Sequence, residues 1–124
     1  MGGSGGHSDT AAGARLTIIV ANLVRGRLPI VIDRVLTATT PGETVDVLVT
    51  ERGVAVNPAR RDLADRLMDA GLAVIDIHDL KSVAEGIAGN PERAHVGERI
   101  VAAVEYRDGT VIDVVRQTIE RKRT

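Results

Sequence analysis

The chain has 124 residues, 44% hydrophobic and 27% charged, with a net charge of −1, no cysteine and a single aromatic residue, Tyr106. That is one domain with enough chain to bury a core. It excludes a disulfide framework and a thiolate metal site, an electrostatic footprint for nucleic acid and a base-stacking surface. No apolar run approaches the roughly 18 residues of a membrane-spanning helix, and no basic stretch followed by an apolar segment marks an export signal. The core must therefore come from Val, Ile, Leu and Ala.

Residues 1–14, "MGGSGGHSDTAAGA", are small and polar and read as a glycine-rich loop. On pattern alone a Gly/Ser run of this kind is a flexible leader. "RLTIIVANLV" (15–24) contains a β-branched run of strand length. "GRLPIVIDRVLTATT" (26–40) predicts a second strand over "IVIDRV", limited at its start by Pro29. Pro41 and Gly42 mark a turn, "VDVLVT" (45–50) a third strand, and "VAV" (54–56) a short fourth one after "ERG".

"NPARRDLADRLMDAG" (57–71) carries helical spacing at Leu63, Leu67 and Ala70, with Asn57 as the expected cap, Pro58 at the first position and Gly71 at the end. "LAVIDI" (72–77) is strand-like, and "HDLKSVAEGIAG" (78–89) predicts a second helix with an apolar stripe at Leu80, Val83, Ala84 and Ile87. "RIVAAVEYRDGTVIDVVRQ" (99–117) predicts a hairpin turning at Asp108-Gly109. A two-residue turn there sets Asp113 opposite Val104, on an apolar face. Either the loop is longer, or Asp113 pairs with Arg116 or Arg107. Strands first, then β-α-β-α and a hairpin, give an α/β domain with a mixed sheet over residues 15–117 and a polar tail over 118–124.

Several residues bear on chemistry. Glycines at 2, 3, 5 and 6 let backbone N–H groups approach a phosphate or oxyanion, yet neither a dinucleotide-binding nor a P-loop spacing is present. Ser4, Ser8, His7 and Asp9 hold the letters of a hydrolytic triad, but triad members converge from separate segments, which favours local turn and cap bonds. Asp76, His78 and Asp79 could approach a metal; the competing reading is a helix start capped by His78 or Asp79, with Asp76 ending the strand. No second histidine cluster supports a metal site, and His95 stands isolated in a loop. Glu51 follows an apolar strand, where ligands of α/β sheets bind, and equally suits a turn or a pair with Arg52. Asp33, inside "IVIDRV", needs a partner and reads as half of a structural ion pair.

"RGRLPIVIDRVLTATTPGETVDVLVTERGVAVNPARRDLADRLMDAGLAVIDIHDL" and "RIVAAVEYRDGTVIDVVRQ" resemble the C-terminal part of the citrate lyase alpha chain family, which are citrate CoA-transferases. "GGSGGHSDTAAGA" resembles that family's glycine loop, and "GGHSD" is similar to the "GG-x-x-D" loop of other CoA-transferases. The resemblance covers nearly the whole chain, and it makes Gly2, Gly3, Ser4, Gly5, Gly6, His7, Ser8 and Asp9 a native loop facing a CoA-type thioester.

It implies an activity exchanging acetyl for citryl on a carrier-protein thioester, releasing acetate, in the cytoplasm. The implied partners are the N-terminal part of the alpha chain and the beta and gamma chains, the gamma chain carrying a prosthetic group derived from dephospho-CoA. No cofactor or metal is implied on this chain itself. Related transferases use a glutamate nucleophile upstream of the glycine loop. The resemblance thus implies a segment that is inactive alone, with Glu51 only a weak catalytic candidate. The alternative is a non-catalytic orphan domain that binds a partner chain or the thioester carrier.

Overall fold

The computed structural model describes residues 4–120. Residues Ser4–Gly13 form a helix, α1, where the sequence predicts loop. Each interior glycine costs a helix about 1 kcal/mol, so tertiary contacts must offset the local preference. Ser8 and Ala11, one turn apart, are both buried, and the Thr10 hydroxyl donates back to Gly6 O at 2.8 Å.

Strand β1 (Ile18–Val20) follows. β2 (Val24–Arg25) and β3 (Leu28–Pro29) make a small antiparallel hairpin around Gly26, whose φ of 63° suits glycine. The long second strand expected over "IVIDRV" is absent. Ile30 donates its N–H to Leu23 O, and 31–40 then runs without strand structure. The two charged residues in its middle explain this: Asp33 turns to Lys81 Nζ at 2.6 Å, and Arg34 is exposed.

β4 (Val47–Thr50) and β5 (Gly53–Val56) appear as expected and are antiparallel, while β1 runs parallel to β4, giving a sheet of order β1-β4-β5. Thr50 closes the β4–β5 turn: its hydroxyl donates to Gly53 O at 2.8 Å and accepts from Arg52 N at 3.2 Å. Gly53 has φ 151°, and a Cβ there would lie 2.6 Å from Ile75 Cγ2.

Helix α2 spans Arg61–Asp69, and its start corrects the expected cap. Asn57 precedes the helix by a full turn. Its Oδ1 accepts from Ala59 N (3.0 Å) and its Nδ2 donates to Val45 O (2.9 Å), so it ties the approach to α2 to the segment before β4. Arg60 occupies the cap position without a side-chain cap bond, and its guanidinium reaches Asp46 instead at 2.9 Å. The C-terminus is as expected. Gly71, at φ 84°, donates to Met68 O and Leu72 to Leu67 O, the paired bonds of a left-handed helix end.

The strand expected over 72–77 is reduced to one bridge, Val54↔Val74. Little chain separates Gly71 from the next helix, α3 (Ile77–Ala88). Asp76 caps α3 by accepting from His78 N at 2.8 Å, a role the sequence had given to His78 or Asp79. On α3, Leu80 and Ala84 are buried, Val83 is half-buried and Ile87 is exposed. Leu23, Ala55, Leu80 and Ala84 form the core, with Leu48, Ile75, Ile77 and Val83 packed on it.

The C-terminal hairpin pairs β6 (Val96–Glu105) with β7 (Val111–Thr118). Thr118 therefore belongs to a strand and not to the tail. Its loop is longer than two residues: Tyr106 N donates to Thr110 O, and Gly109 turns at φ 86°. A register shift keeps Val104 opposite Asp113 all the same. Among the described residues Asp113 finds no arginine partner in direct contact. Its carboxylate accepts from Ala38 N at 2.8 Å and Val114 N at 2.7 Å, which ties the hairpin to 37–38, and the Thr37 hydroxyl adds a bond to Val114 O. The Ala38 N–H is the first cause, and Val114 N–H the second, that holds this carboxyl below the usual range. Residues 121–124 of the expected tail lie outside the described residues.

Truncating Leu80 to Ala should cost about 2–5 kcal/mol, because a fully buried side chain leaves a cavity. Asn57→Ala removes hydrogen bonds at the surface and should cost about 1–2 kcal/mol. Urea melts that reverse this order would show the core to be misassigned. Gly53→Ala should cost about 1–3 kcal/mol through its clash with Ile75.

Acid should loosen the hairpin. Asp113 has a folded pKa below its unfolded value of about 3.9, so its stabilisation is full above that value and fades as pH falls through the folded one. The gap in urea midpoint between the native chain and Asp113→Asn should therefore shrink as pH drops below about 4. A gap independent of pH would show that the charge of Asp113 contributes nothing.

Candidate functional site

Helix α1 brings His7, Ser8 and Asp9 to a different setting from the loop expected of them. His7 Nδ1 lies 3.1 Å from Thr40 Oγ1, linking α1 to the irregular 31–40 segment. Ser8 points inward, and its buried Oγ has no hydrogen-bond partner among the described residues. Asp9 is exposed. Consecutive residues of a helix face different directions, so the side chains of His7, Ser8 and Asp9 do not converge as a triad. Gly2 and Gly3 lie outside the described residues.

Beside α1 runs a groove of ≈ 340 Å³ lined by Gly6, His7, Thr10, Leu16, Thr17 and Ile18. Its apolar wall comes from Leu16 and Ile18 with Ala11 and Ala14, and its polar groups are an imidazole and two hydroxyls. That combination suits a small ligand with an apolar part and hydrogen-bonding groups. A second groove of ≈ 360 Å³ lies on the sheet between Ile19, Leu48, Ala55 and Ile77 and carries Asp46 and Asn57 at its edge.

Asp46 organises the ground between the two grooves. It sits just before β4, accepts from Thr17 N through Oδ2 at 2.8 Å, and holds Arg60 Nη1 through Oδ1 at 2.9 Å. Sequence reasoning missed it. The available signal was an acid at an alternating position of "VDVLVT", one residue from the strand start, with a basic pair following at 60–61.

Glu51 occupies the β4–β5 turn, where the sequence suggested either a functional carboxylate or a turn acceptor. Both its oxygens face the Leu23 N–H, at 2.9 and 3.2 Å. That bond, first among its causes, holds the carboxyl below the usual range, so Glu51 is a carboxylate at neutral pH. It is not among the residues lining the groove beside α1. The geometry makes it a strut for the Leu23 backbone.

The remaining candidates separate. Asp76 caps α3 through His78 N, while His78 and Asp79 are exposed in its first turn. Among the described residues, no group of three or more His, Cys, Asp or Glu side chains could hold a metal ion. His95 Nε2 lies 3.5 Å from Glu92 Oε1. Asp33 is paired, as expected, but at the surface: Lys81 bridges it to Glu85 and keeps its carboxyl below the usual range. No helix of the described residues is long and apolar enough to cross a membrane.

Comparison with known proteins bears on the whole arrangement. The sequence profile of the family "Citrate lyase, alpha subunit (CitF)" matches residues 1–118. The citrate lyase alpha chain of Klebsiella pneumoniae is 60% identical over 94% of this chain, and that of Escherichia coli K12 is 55% identical over 96%. The alpha chain of Haemophilus influenzae is 52% identical over 94%. In each case the chain spans only 23% of the relative's length. A crystal structure of a citrate lyase alpha subunit from Streptococcus mutans, in complex with citrate, superposes with a TM-score of 0.90 at 49% identity, over 94% of this chain and 23% of that one. With the family matched from α1 through β7 and the mixed α/β fold shared at near-identical topology, the chain belongs to the citrate lyase alpha subunit family.

Proposed function

We propose that this chain is the C-terminal portion of a citrate lyase alpha chain and works as part of a citrate CoA-transferase. The observation that carries the reading is the 0.90 TM-score match, at 49% identity, to an alpha subunit crystallised with citrate. The reaction exchanges acyl groups on one sulfur. A carrier thioester bearing acetyl and a free citrate become a carrier thioester bearing citryl and a free acetate. The sulfur belongs to a prosthetic group derived from dephospho-CoA on the gamma chain, and the citryl-carrier passes to the beta chain, all within the cytoplasm.

This chain contributes the thioester-facing segment, Gly2, Gly3, Ser4, Gly5, Gly6, His7, Ser8 and Asp9. The groove beside α1, with His7, Thr10 and Thr17 on its walls, supplies a place for hydrogen bonds to the acyl portion. Acyl exchange of this kind uses a carboxylate nucleophile, which takes acetyl from the carrier as a mixed anhydride while the thiolate leaves. The thiolate then attacks the enzyme's own carbonyl to give a glutamyl thioester and free acetate. Citrate opens that thioester to a citryl anhydride, and the released thiolate takes the citryl group and frees the carboxylate. That carboxylate belongs to the rest of the subunit. Glu51 is a poor substitute, because both its oxygens already face the Leu23 N–H.

The test is acyl exchange between acetyl-carrier and citrate, read as citryl thioester. A full-length alpha subunit in which this chain replaces its matching segment should turn over, and the chain alone should not. Failure of that chimera to form citryl thioester would overturn the reading. Turnover by the chain alone, abolished by Glu51→Gln, would make Glu51 the nucleophile.

A further inference from the structure

β1 is an edge. Among the described residues it pairs only with β4, on one side. The bonds flanking it fix which backbone groups that pairing uses: Val47 N donates to Thr17 O, and Ala21 N donates to Val49 O. Backbone groups alternate in direction along a strand, so Thr17, Ile19 and Ala21 face β4. The N–H and C=O groups of Ile18 and Val20 point away from β4, along the free edge. Their side chains are also the exposed ones, at 51% and 77%, with Leu16 just before them at 44%.

Three features make this edge unlike an ordinary protected one. β1 pairs in parallel, and strands of parallel sheets are typically covered on both faces, yet Ile18 and Val20 are exposed. The edge carries no proline, no charged side chain and no bulge over Ile18–Val20, the devices by which a solvent-facing edge is blunted. And the free backbone groups coincide with β-branched apolar side chains, the combination an added strand recognises: backbone bonds for affinity, alternate side chains for register.

We infer that the free edge of β1 is the seat of a further strand, supplied by the part of a citrate lyase alpha subunit that lies outside these residues, so that the sheet continues past Ile18 and Val20. The inference rests on the reading of this chain as a portion of such a subunit. Family members have the chain to supply it, since the matched segment is 23% of their length. The added strand would also run beside the groove at α1, whose wall includes Leu16 and Ile18, and would complete it.

Hydrogen exchange at single amides tests this on the chain alone and on the full-length Klebsiella pneumoniae subunit carrying it as a graft. In the chain alone, Ile19 and Ala21 should be protected while Ile18 and Val20 exchange near the unfolded rate. In the graft, Ile18 and Val20 should slow by roughly a hundredfold or more, as amides in an internal ladder do. Free exchange at both in the graft would overturn the proposal. Protection in the chain alone that grows with its concentration would also overturn it, assigning the edge to a second copy.

Val20→Pro removes only an outward N–H, which an edge strand tolerates. It should leave the chain's own unfolding midpoint within a few degrees of Val20→Thr, yet lower the midpoint of the graft relative to the same control. Equal effects in both settings would count against the added strand, and the exchange comparison decides the matter even if the proline variant does not fold. The acyl-exchange assay separates the two readings. An active graft with Ile18 and Val20 exchanging freely sinks the edge alone, and a protected but inactive graft sinks the enzymatic reading alone.

Discussion

The fold turns on one carboxylate holding one backbone N–H. Leu23 is fully buried, yet it lies just outside the short strand β2, where no ladder satisfies its amide. Burying an unpaired N–H costs about as much as losing a hydrogen bond, of order 1–3 kcal/mol. Glu51 removes that cost by placing both oxygens on the Leu23 N–H, and Ile30 N takes the Leu23 carbonyl. With both groups satisfied, the side chain can sit in the core with Leu80, Ala55 and Ala84, and the β4–β5 turn is fixed over the segment that follows β1.

The same device recurs. Asp46 takes Thr17 N, Asp113 takes Ala38 N, and Asp76 takes His78 N. Asp113 and Asp76 each join a regular element to an irregular segment beside it, and Asp46 ties together the residues that lead into β1 and β4. Carboxylates serve here because an ionised acceptor makes a stronger bond to an N–H than a neutral one does. Arginine is the junior partner: Arg60 supports Asp46, and Arg116 adds only a weak charge effect at Asp113. Among the described residues the only large side chains fully buried are Leu23 and Leu80, and so small a core leans on such ties more than a larger one would.

What the sequence made legible follows the reach of its signals. The strands β4 and β5 on either side of the tight turn at "ERG", and the end of α2 at Gly71, depend on neighbours a few residues apart, and both appear as read. The turn at Gly109 does too, and the alternatives raised for Asp113 were resolved by a longer loop together with a backbone partner. Misreadings came where distant partners decide. Asn57 looks like a cap until Val45 O, twelve residues earlier, claims its amide. "IVIDRV" has the composition of a strand, but Asp33 is drawn to Lys81 on α3. The glycines of α1 read as loop by propensity, and only burial of Ser8 and Ala11 makes a helix there. Of the site, the resemblance named the segment, while His7's approach to Thr40 and Asp46's double role were invisible without the fold.

Apolar residues of strand-like stretches are exposed: Ile18 and Val20 on β1, Ile30, Ile32, Val35 and Leu36 after β3, and Ile100, Val101 and Val111 on the hairpin. Scattered apolar exposure is ordinary, but these fall on three consecutive stretches with strand-like composition. The hairpin makes the point most sharply. Two strands alone are marginal in water, and β6 and β7 pair with no further strand among the described residues. Their attachment to the rest runs through backbone-directed bonds from Thr37 and Ala38 and not through a shared apolar core. Polar ties fix position without burying area, and burial at about 25 cal/mol per Å² is what stabilises a sheet against its loss of chain entropy. The sequence therefore encodes more apolar surface than these residues bury among themselves, and the surplus lies along the edge of β1 and the faces of the hairpin, where cover from further chain would convert it into core.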